Sequence, residues 1–333
     1  MKPLFMWAGG KTRLLKHYKP HLPETFEKYH EPFFGGGAMF LWAYKKNPAA
    51  SFYINDINKH IMGIYLAIKN DCERFCEIMD KFQTIYLPLS PPTEPGGKTN
   101  KTLQKKYQLD KGRRDWDSIY KEQPSRRHFY FKVRDRYAWD SELFDSTFEA
   151  AILYFLMKTG FNGVWQLNAN TNGRFGTPCG LLNQKDKIYD KENVLKWHKA
   201  LQACTITALD FTETSVDIDS TSFIFLDPPY RGCFADYGTK TDDEFQEGVI
   251  RYHNIGTKRG ALSMLCNREL DDGFFQQRQG QNELFHFDVS YTVGRKKKLL
   301  DKDGNHATDS KGKKLFQEAK KAKEILLINT KNT

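Results

Sequence analysis

The sequence predicts an α/β protein whose sheet is assembled from both ends of the chain, with a mostly helical insert between them. Three observations carry that expectation. The first stretch, to about residue 57, alternates short apolar runs with helix-like segments. Strand-length, partly β-branched runs return only from Thr205 onward. Between them lies helical periodicity without a strand signal.

Taken in order, Leu4–Phe5 and Tyr29–Phe34 read as short apolar strands, separated by a helix-like stretch from Lys11 to Leu22 that stops before Pro23. After three glycines at 35 to 37, Ala38–Lys46 reads as a helix and Ser51–Asn55 as a third strand. From Ile57 to Leu87 the period is helical, with Ile61, Ile64, Tyr65 and Ile68 on one face. The segment Leu87–Lys101, rich in Pro and Gly, predicts a loop. Phe148–Lys158 predicts a helix closing on Gly160. Strands are expected at Thr205–Leu209, Phe223–Leu226, Ala261–Leu265, Phe285–Val289 and Glu324–Ile328. No internal repeat interrupts the pattern.

At 333 residues the chain has room for two domains, or one domain with an insertion. Its longest near-continuous apolar run, Ala150–Met157, is far short of the roughly 18 residues a membrane span needs, and mean hydropathy is −0.66. The N-terminus shows no sustained apolar stretch with a small-residue cleavage site, which predicts a cytoplasmic protein. Six cysteines, at 72, 76, 179, 204, 233 and 266, are too sparse for a disulfide framework and lack zinc spacing, so reduced thiols and no metal are expected. The net charge of +10 is concentrated. Residues 96–136 carry 13 Lys and Arg against 5 acids, and residues 294–323 carry 11 against 4, leaving the rest slightly acidic. Two basic segments on an acidic body predict a phosphate-contacting surface.

The sharpest local signal is Asp227-Pro228-Pro229-Tyr230, directly after the apolar run Ser222–Leu226. Two adjacent prolines each lack an N–H and fix φ, so they form a rigid turn. Such a turn frees the Pro228 carbonyl from strand pairing, sets the Asp227 carboxylate beside it and lets the Tyr230 ring stand over the space in front. Two acceptors with an aromatic wall suit an exocyclic amino group on a flat base, adenine or cytosine. The second signal is Glu31-Pro32-Phe33-Phe34-Gly35-Gly36-Gly37, a strand running into a glycine loop and then a helix whose free N–H groups face forward. Position 40 is Phe, so the dinucleotide spacing G-x-G-x-x-G is absent; Gly10-Lys11-Thr12 lacks the first glycine of a phosphate loop. Asp56, at the tip of the following strand, stands where an acid bonds ribose hydroxyls. A nucleoside-bearing cofactor is expected.

With these residues in view, the chain resembles the DNA adenine N6-methyltransferases of the Dam type, the D12 class, in the alpha arrangement of motifs. Trp7-Ala8-Gly9-Gly10-Lys11 is similar to that family's W-x-G-x-K motif, Glu31–Gly37 to its S-adenosylmethionine loop, and Asp227–Tyr230 to its catalytic motif. Thr159–Gly163 and Asn172–Gly180 resemble the family stretches that bracket a DNA-contacting hairpin. The resemblance covers about 1–70, 148–182 and 205–240, with a looser match near the last strand; the segments 88–136 and 295–323 depart from the compact family pattern. It implies a Rossmann-like methyltransferase sheet from 1–57 and 181–333, and a mostly helical target-recognition domain with a β-hairpin from 58–180. It also implies that Trp7, Ala8, Gly9, Lys11, Glu31, Pro32, Phe33, Gly35 and Asp56 hold S-adenosylmethionine, with Asp210 and Phe211 flanking its adenine and Asp227 bordering it.

Together, the motif chemistry and the resemblance imply methyl transfer to N6 of a flipped-out adenine in duplex DNA, with Asp227, Pro228, Pro229 and Tyr230 as the catalytic turn and Phe234 and Tyr237 as further pocket residues. Asn162, with Gln166, Asn168 and Asn170, is the candidate for base-edge contacts, because amides pair bidentately with adenine. Arg113, Arg114, Arg126, Arg127, Arg174, Arg295, Lys296, Lys297 and Lys298 are candidates for contacts to DNA, chiefly to its phosphates. A monomer in solution is expected, and phage, restriction and housekeeping roles stay open. Methylation of RNA adenine or cytosine N4, and a catalytically silent DNA-binding relative, remain alternative readings.

Overall fold

The computed structural model describes residues 1–7, 11, 14–92, 97–108, 123–140, 142, 144–180, 187–232, 241–290 and 321–329. Its centre is a seven-stranded sheet made from β1 (Lys28–Glu31), β2 (Ser51–Asn55), β3 (Cys204–Thr207), β4 (Ser222–Leu226), β5 (Leu262–Glu269), β6 (Glu283–Ser290) and β7 (Lys321–Ile328), in the spatial order β3-β2-β1-β4-β5-β7-β6. The first five strands in that order are parallel; β7 runs antiparallel to both β5 and β6. β4, Ser-Phe-Ile-Phe-Leu, is buried at every position, as expected of a strand covered on both faces. The chain winds outward from β1 through β2 to β3, then returns to β4 on the other side of β1, so the switch point lies between β1 and β4. Glu31 and Asp227 therefore emerge beside each other at the carboxyl edge, where open α/β sheets bind ligands.

Helix α1 (Leu15–Tyr18) is short and continues as a 3-10 turn over Lys19–His21, so the expected Lys11–Leu22 helix is largely replaced by tighter turns. Helix α2 (Ala38–Lys46) follows the glycine loop, starting after Gly37 at φ +65°. Leu4–Phe5 is buried but not a strand; Phe5 instead packs against Tyr65 and Tyr154. The chain then folds into α3 (Lys59–Asn70), α4 (Cys72–Tyr86), α5 (Gly97–Gln108), α6 (Arg126–Asp140) and α7 (Ser146–Thr159). Asn58 and Asp145 cap α3 and α7 by accepting backbone N–H groups. α7 is apolar nearly all round because it is the axis of this block, packed by α3, α4 and α6. Phe155 of α7 meets Phe82, Tyr86 and Phe129 at ring separations of 5.2 to 5.6 Å. The expected loop at 87–101 is thus only partly a loop, since α5 begins at Gly97.

α8 (Lys191–Leu201) leads into β3, and α9 (Asp243–Lys258) connects β4 to β5; both have aspartate caps. Trp197 of α8 joins the two halves of the core, touching Phe34, Phe40 and Tyr65. The expected hairpin at 160–180 is an antiparallel loop fixed by two isolated bridges, Gly160 with Cys179 and Leu167 with Phe175, rather than a continuous ladder. Cys72, Cys76, Cys179, Cys204 and Cys266 are buried free thiols. Among the described residues no helix is long and apolar enough to cross a membrane.

Candidate active site

At the tip of β4 the chain enters the double-proline turn. Lys11 Nζ lies 2.6 Å from Asp227 Oδ1 and 4.6 Å from the centre of the Tyr230 ring. The lysine is buried, at 4% exposure. Burial pushes the Asp227 carboxyl up to about 6, with Lys11 pulling the other way and Glu324 adding to the rise. For Lys11, burial works against the charge, but Asp227 and Glu324 more than offset it and hold the ammonium above its ordinary value. Glu324, buried in the middle of β7, accepts from the Tyr230 hydroxyl at 3.0 Å and from Tyr18 at 3.5 Å. The Pro229 carbonyl accepts from Gln246 Nε2 at 2.9 Å. Among the described residues no hydrogen bond ends on the Pro228 carbonyl.

The tip of β1 carries the other wall. Gly35 has φ +47°, and a Cβ placed on it would stand 2.4 Å from Trp7 Nε1; one on Gly36 would stand 2.9 Å from Trp7 Cβ. The loop is therefore glycine because Trp7 packs directly on it, beyond any need for ligand approach. Gly35 is pinned on both sides: its N–H donates to Asp56 Oδ2 at 2.9 Å and its carbonyl accepts from Tyr65 at 3.0 Å. The second Asp56 oxygen accepts from Asn58 N–H at 2.9 Å. Burial raises the Asp56 carboxyl above its ordinary value, while these two N–H donors oppose the rise. Asn55 ties three strand tips together, donating to the carbonyls of Pro32 and Leu209 and accepting from the N–H of Leu209. Glu31, buried and bonded to Tyr29 at 2.8 Å, is driven well above the ordinary carboxylate range by burial, with Asp227 contributing. Phe33 and Phe211 meet at 5.1 Å, and Phe245 packs on both. Asp210 caps the 3-10 turn at Phe211–Thr214.

The chain matches the family model for D12 class N6 adenine-specific DNA methyltransferases over residues 7–87 and 99–275. It belongs to that family. The match spans most of the chain and both walls of the site. The sequence is 30% identical to a type II methyltransferase, M.MjaIII, of Methanocaldococcus jannaschii over 85% of this chain and 89% of that protein. It is 28% identical to a type II methyltransferase, M.CviBI, of Paramecium bursaria Chlorella virus NC1A over 82% and 88%. A DNA adenine methylase of Vibrio cholerae is 24% identical over 67% of this chain and 63% of its own length. The chain is accordingly a methyltransferase acting on adenine N6 in DNA, in a family whose donor is S-adenosylmethionine.

Of the residues expected in the site, the fold of the methyltransferase brings together Trp7, Lys11, Glu31, Pro32, Phe33, Gly35, Asp56, Asp210, Phe211 and the Asp227–Tyr230 turn along the carboxyl edge of the sheet. Ala8, Gly9, Arg113, Arg114, Phe234, Tyr237, Arg295, Lys296, Lys297 and Lys298 lie outside the described residues. One expectation needs correction. Arg126 and Arg127 are 7% and 9% exposed, and Arg126 donates to the carbonyls of Tyr86 and Leu87, so it closes the end of α4 rather than presenting a guanidinium to DNA. Arg174 stays partly exposed, paired with Glu149 at 2.9 Å and lying over the Tyr137 ring. On the loop at 160–180, Asn162 (φ 52°), Gln166 and Asn170 are exposed, while Asn168 spends its side-chain carbonyl on the Asn170 N–H. The sequence reading missed Asn55, Tyr65, Phe245, Gln246, Asn267 and Glu324. Glu324 left one signal, a lone acid inside the apolar strand Lys321–Ile328.

Proposed function

We propose that this site methylates N6 of an adenine flipped out of duplex DNA, the amino group being gripped by the Asp227 carboxylate and the Pro228 carbonyl. The observation that carries the reading is the state of the turn: the Pro229 carbonyl accepts a hydrogen bond, the Pro228 carbonyl accepts none among the described residues, and a cation already sits between Asp227 and the Tyr230 ring. A site that accepts an ammonium there suits an amino group that becomes positive as it is methylated. The residues also fit the methyl donor. Burial, with Asp227 contributing, drives the Glu31 carboxyl well above its ordinary range, and a neighbouring sulfonium would relieve that. In this reading Asp56 and Glu31 hold the donor's polar groups and Phe33 and Phe211 flank its base.

S-adenosylmethionine supplies an electrophilic methyl group on a good leaving group. The chain's own work is then placement. The adenine amino nitrogen is a poor nucleophile because its lone pair is delocalised; accepting both N6 hydrogens at Asp227 and Pro228 favours the pyramidal form and spreads the developing charge. Lys11 must yield Asp227 for this to occur. Tyr230, fixed through its hydroxyl by Glu324, provides the stacking face. Residues 58–180 form the target-recognition part of this reading, with Asn162, Gln166 and Asn170 facing solvent.

Asp227→Ala tests the assignment. It is expected to lower the transfer rate by about 100-fold or more, the scale for removing a charge-stabilising contact, while DNA affinity stays within a few-fold. Near-normal methylation by that variant, measured as N6-methyladenine after digestion of duplex DNA, would remove Asp227 from the mechanism.

A further inference from the structure

Two buried amides stand behind the catalytic turn, bonded to its backbone and to each other. Gln246, in the first turn of α9, is 1% exposed; Asn267, near the end of β5, is fully buried. Gln246 Nε2 donates to the Pro229 carbonyl at 2.9 Å. Asn267 Nδ2 donates to Gln246 Oε1 at 2.8 Å. Asn267 Oδ1 in turn accepts the N–H of Arg231 at 3.0 Å and that of Arg268 at 2.8 Å.

Each bond has a structural consequence. Pinning the Pro229 carbonyl sets the plane of the peptide entering Tyr230, and pinning the Arg231 N–H sets the plane of the peptide leaving it. The two backbone dihedrals of Tyr230 are thereby fixed from a helix on one side and a strand on the other, both rigid elements. With the hydroxyl of the same tyrosine anchored on Glu324, the ring is held at three points. An unmade bond here would strand buried polar atoms, so the pair is costly to disturb singly.

We infer that Gln246 and Asn267 are positioning residues for methyl transfer, a coupled amide clamp that sets the backbone on both sides of Tyr230 and with it the angle of the Tyr230 ring. The inference rests on the reading of the turn as the grip on the amino group, and concerns how that grip is aimed.

Gln246→Leu removes the donor at similar volume. It is expected to lower kcat about tenfold or more, since small misplacements at a reacting centre are expensive, with KM for S-adenosylmethionine and for unmethylated duplex DNA changed by no more than about threefold. Gln246→Glu gives a readout that packing alone would not move. Its carboxyl donates to the Pro229 carbonyl only when protonated, so its rate relative to the parent enzyme should rise as pH falls. Asn267→Leu removes both the acceptor for Arg231 and the donor to Gln246, and should lower kcat at least as far as Gln246→Leu. If Gln246→Leu fails to fold, the Gln246→Glu pH ratio decides alone. A Gln246→Leu kcat within about twofold of the parent, a loss confined to KM, or a Gln246→Glu ratio flat with pH overturns the clamp. Asp227→Ala run alongside separates the two claims: if it is inactive while Gln246→Leu is normal, only the positioning inference fails; if it is active, the reading of the turn fails first.

Discussion

The two walls of the site, both at the carboxyl edge of one sheet, are held in different ways. The glycine-loop wall is fixed by neutral or backbone-directed bonds: Asp56 to the N–H groups of Gly35 and Asn58, Tyr65 to the Gly35 carbonyl, and Asn55 across three strand tips. Nothing in that set has to leave for a ligand to enter. The turn wall has an equally fixed backbone, but its key acceptor, Asp227, is engaged by Lys11. One wall is a finished cradle, and the other carries a cation that a substrate must replace in the proposed mechanism. Substitutions in the first should therefore change affinity and stability, and substitutions around the second should change rate and its pH dependence.

The largest effect that tests the cradle is expected from Gly35→Ala. The new Cβ would meet Trp7 at 2.4 Å in a left-handed backbone, and both faults must be relieved by moving Trp7 or the loop. A loss of about 2–3 kcal/mol in denaturant unfolding is expected, the scale for combined overpacking and strain, together with weakened binding of S-adenosylmethionine by calorimetry. Ordinary stability and affinity would show that the loop is looser than its contacts imply. A step smaller, Asp56→Ala removes two charge-assisted bonds to the loop and should cost about 1–3 kcal/mol. Its kcat at saturating donor should stay near normal while donor affinity falls; a fall in kcat alone would erase the distinction between the walls.

How much of this was legible in the sequence follows from the range of each interaction. Ser51–Asn55 and Ala38–Lys46 were readable to the residue, because a β-branched or aromatic run and a glycine-flanked apolar period are local signals. The Asp227–Tyr230 turn was readable for the same reason, two prolines leaving the backbone few choices. α6, α8 and α9 were not read: α6 mixes buried arginines with aromatics so its apolar stripe is faint, and α8 and α9 carry their caps and charges among long polar stretches. Leu4–Phe5 looked like a strand but is a packed turn, since two apolar residues cannot declare a period. Arg126 illustrates the converse error. Charge counted along the chain does not show that a guanidinium is committed to the carbonyls at the end of α4, which only the tertiary fold supplies. Gln246 and Asn267 were silent because their partners are 17 and 36 residues away in sequence, and Glu324, whose partner is 94 residues away, left only a lone acid in an apolar strand.

The subtlest effect falls on the turn wall and concerns protons. In the proposed grip Asp227 accepts N6 hydrogens only as a carboxylate, and burial has raised its carboxyl to about 6 despite the adjoining lysine. The profile of kcat/KM, which reports the free enzyme, should therefore fall on the acid side through about pH 6. Lys11 is the group that opposes the rise, so Lys11→Met removes an opposing charge and must move that limb to higher pH, by about one unit for a close buried neighbour. The direction is fixed by the sign of the charge. A shift to lower pH would mean that another group controls the limb. An unmoved limb would mean that Lys11 has already left Asp227 in the form of the enzyme that captures DNA, and the two walls would then be alike in being open before substrate arrives.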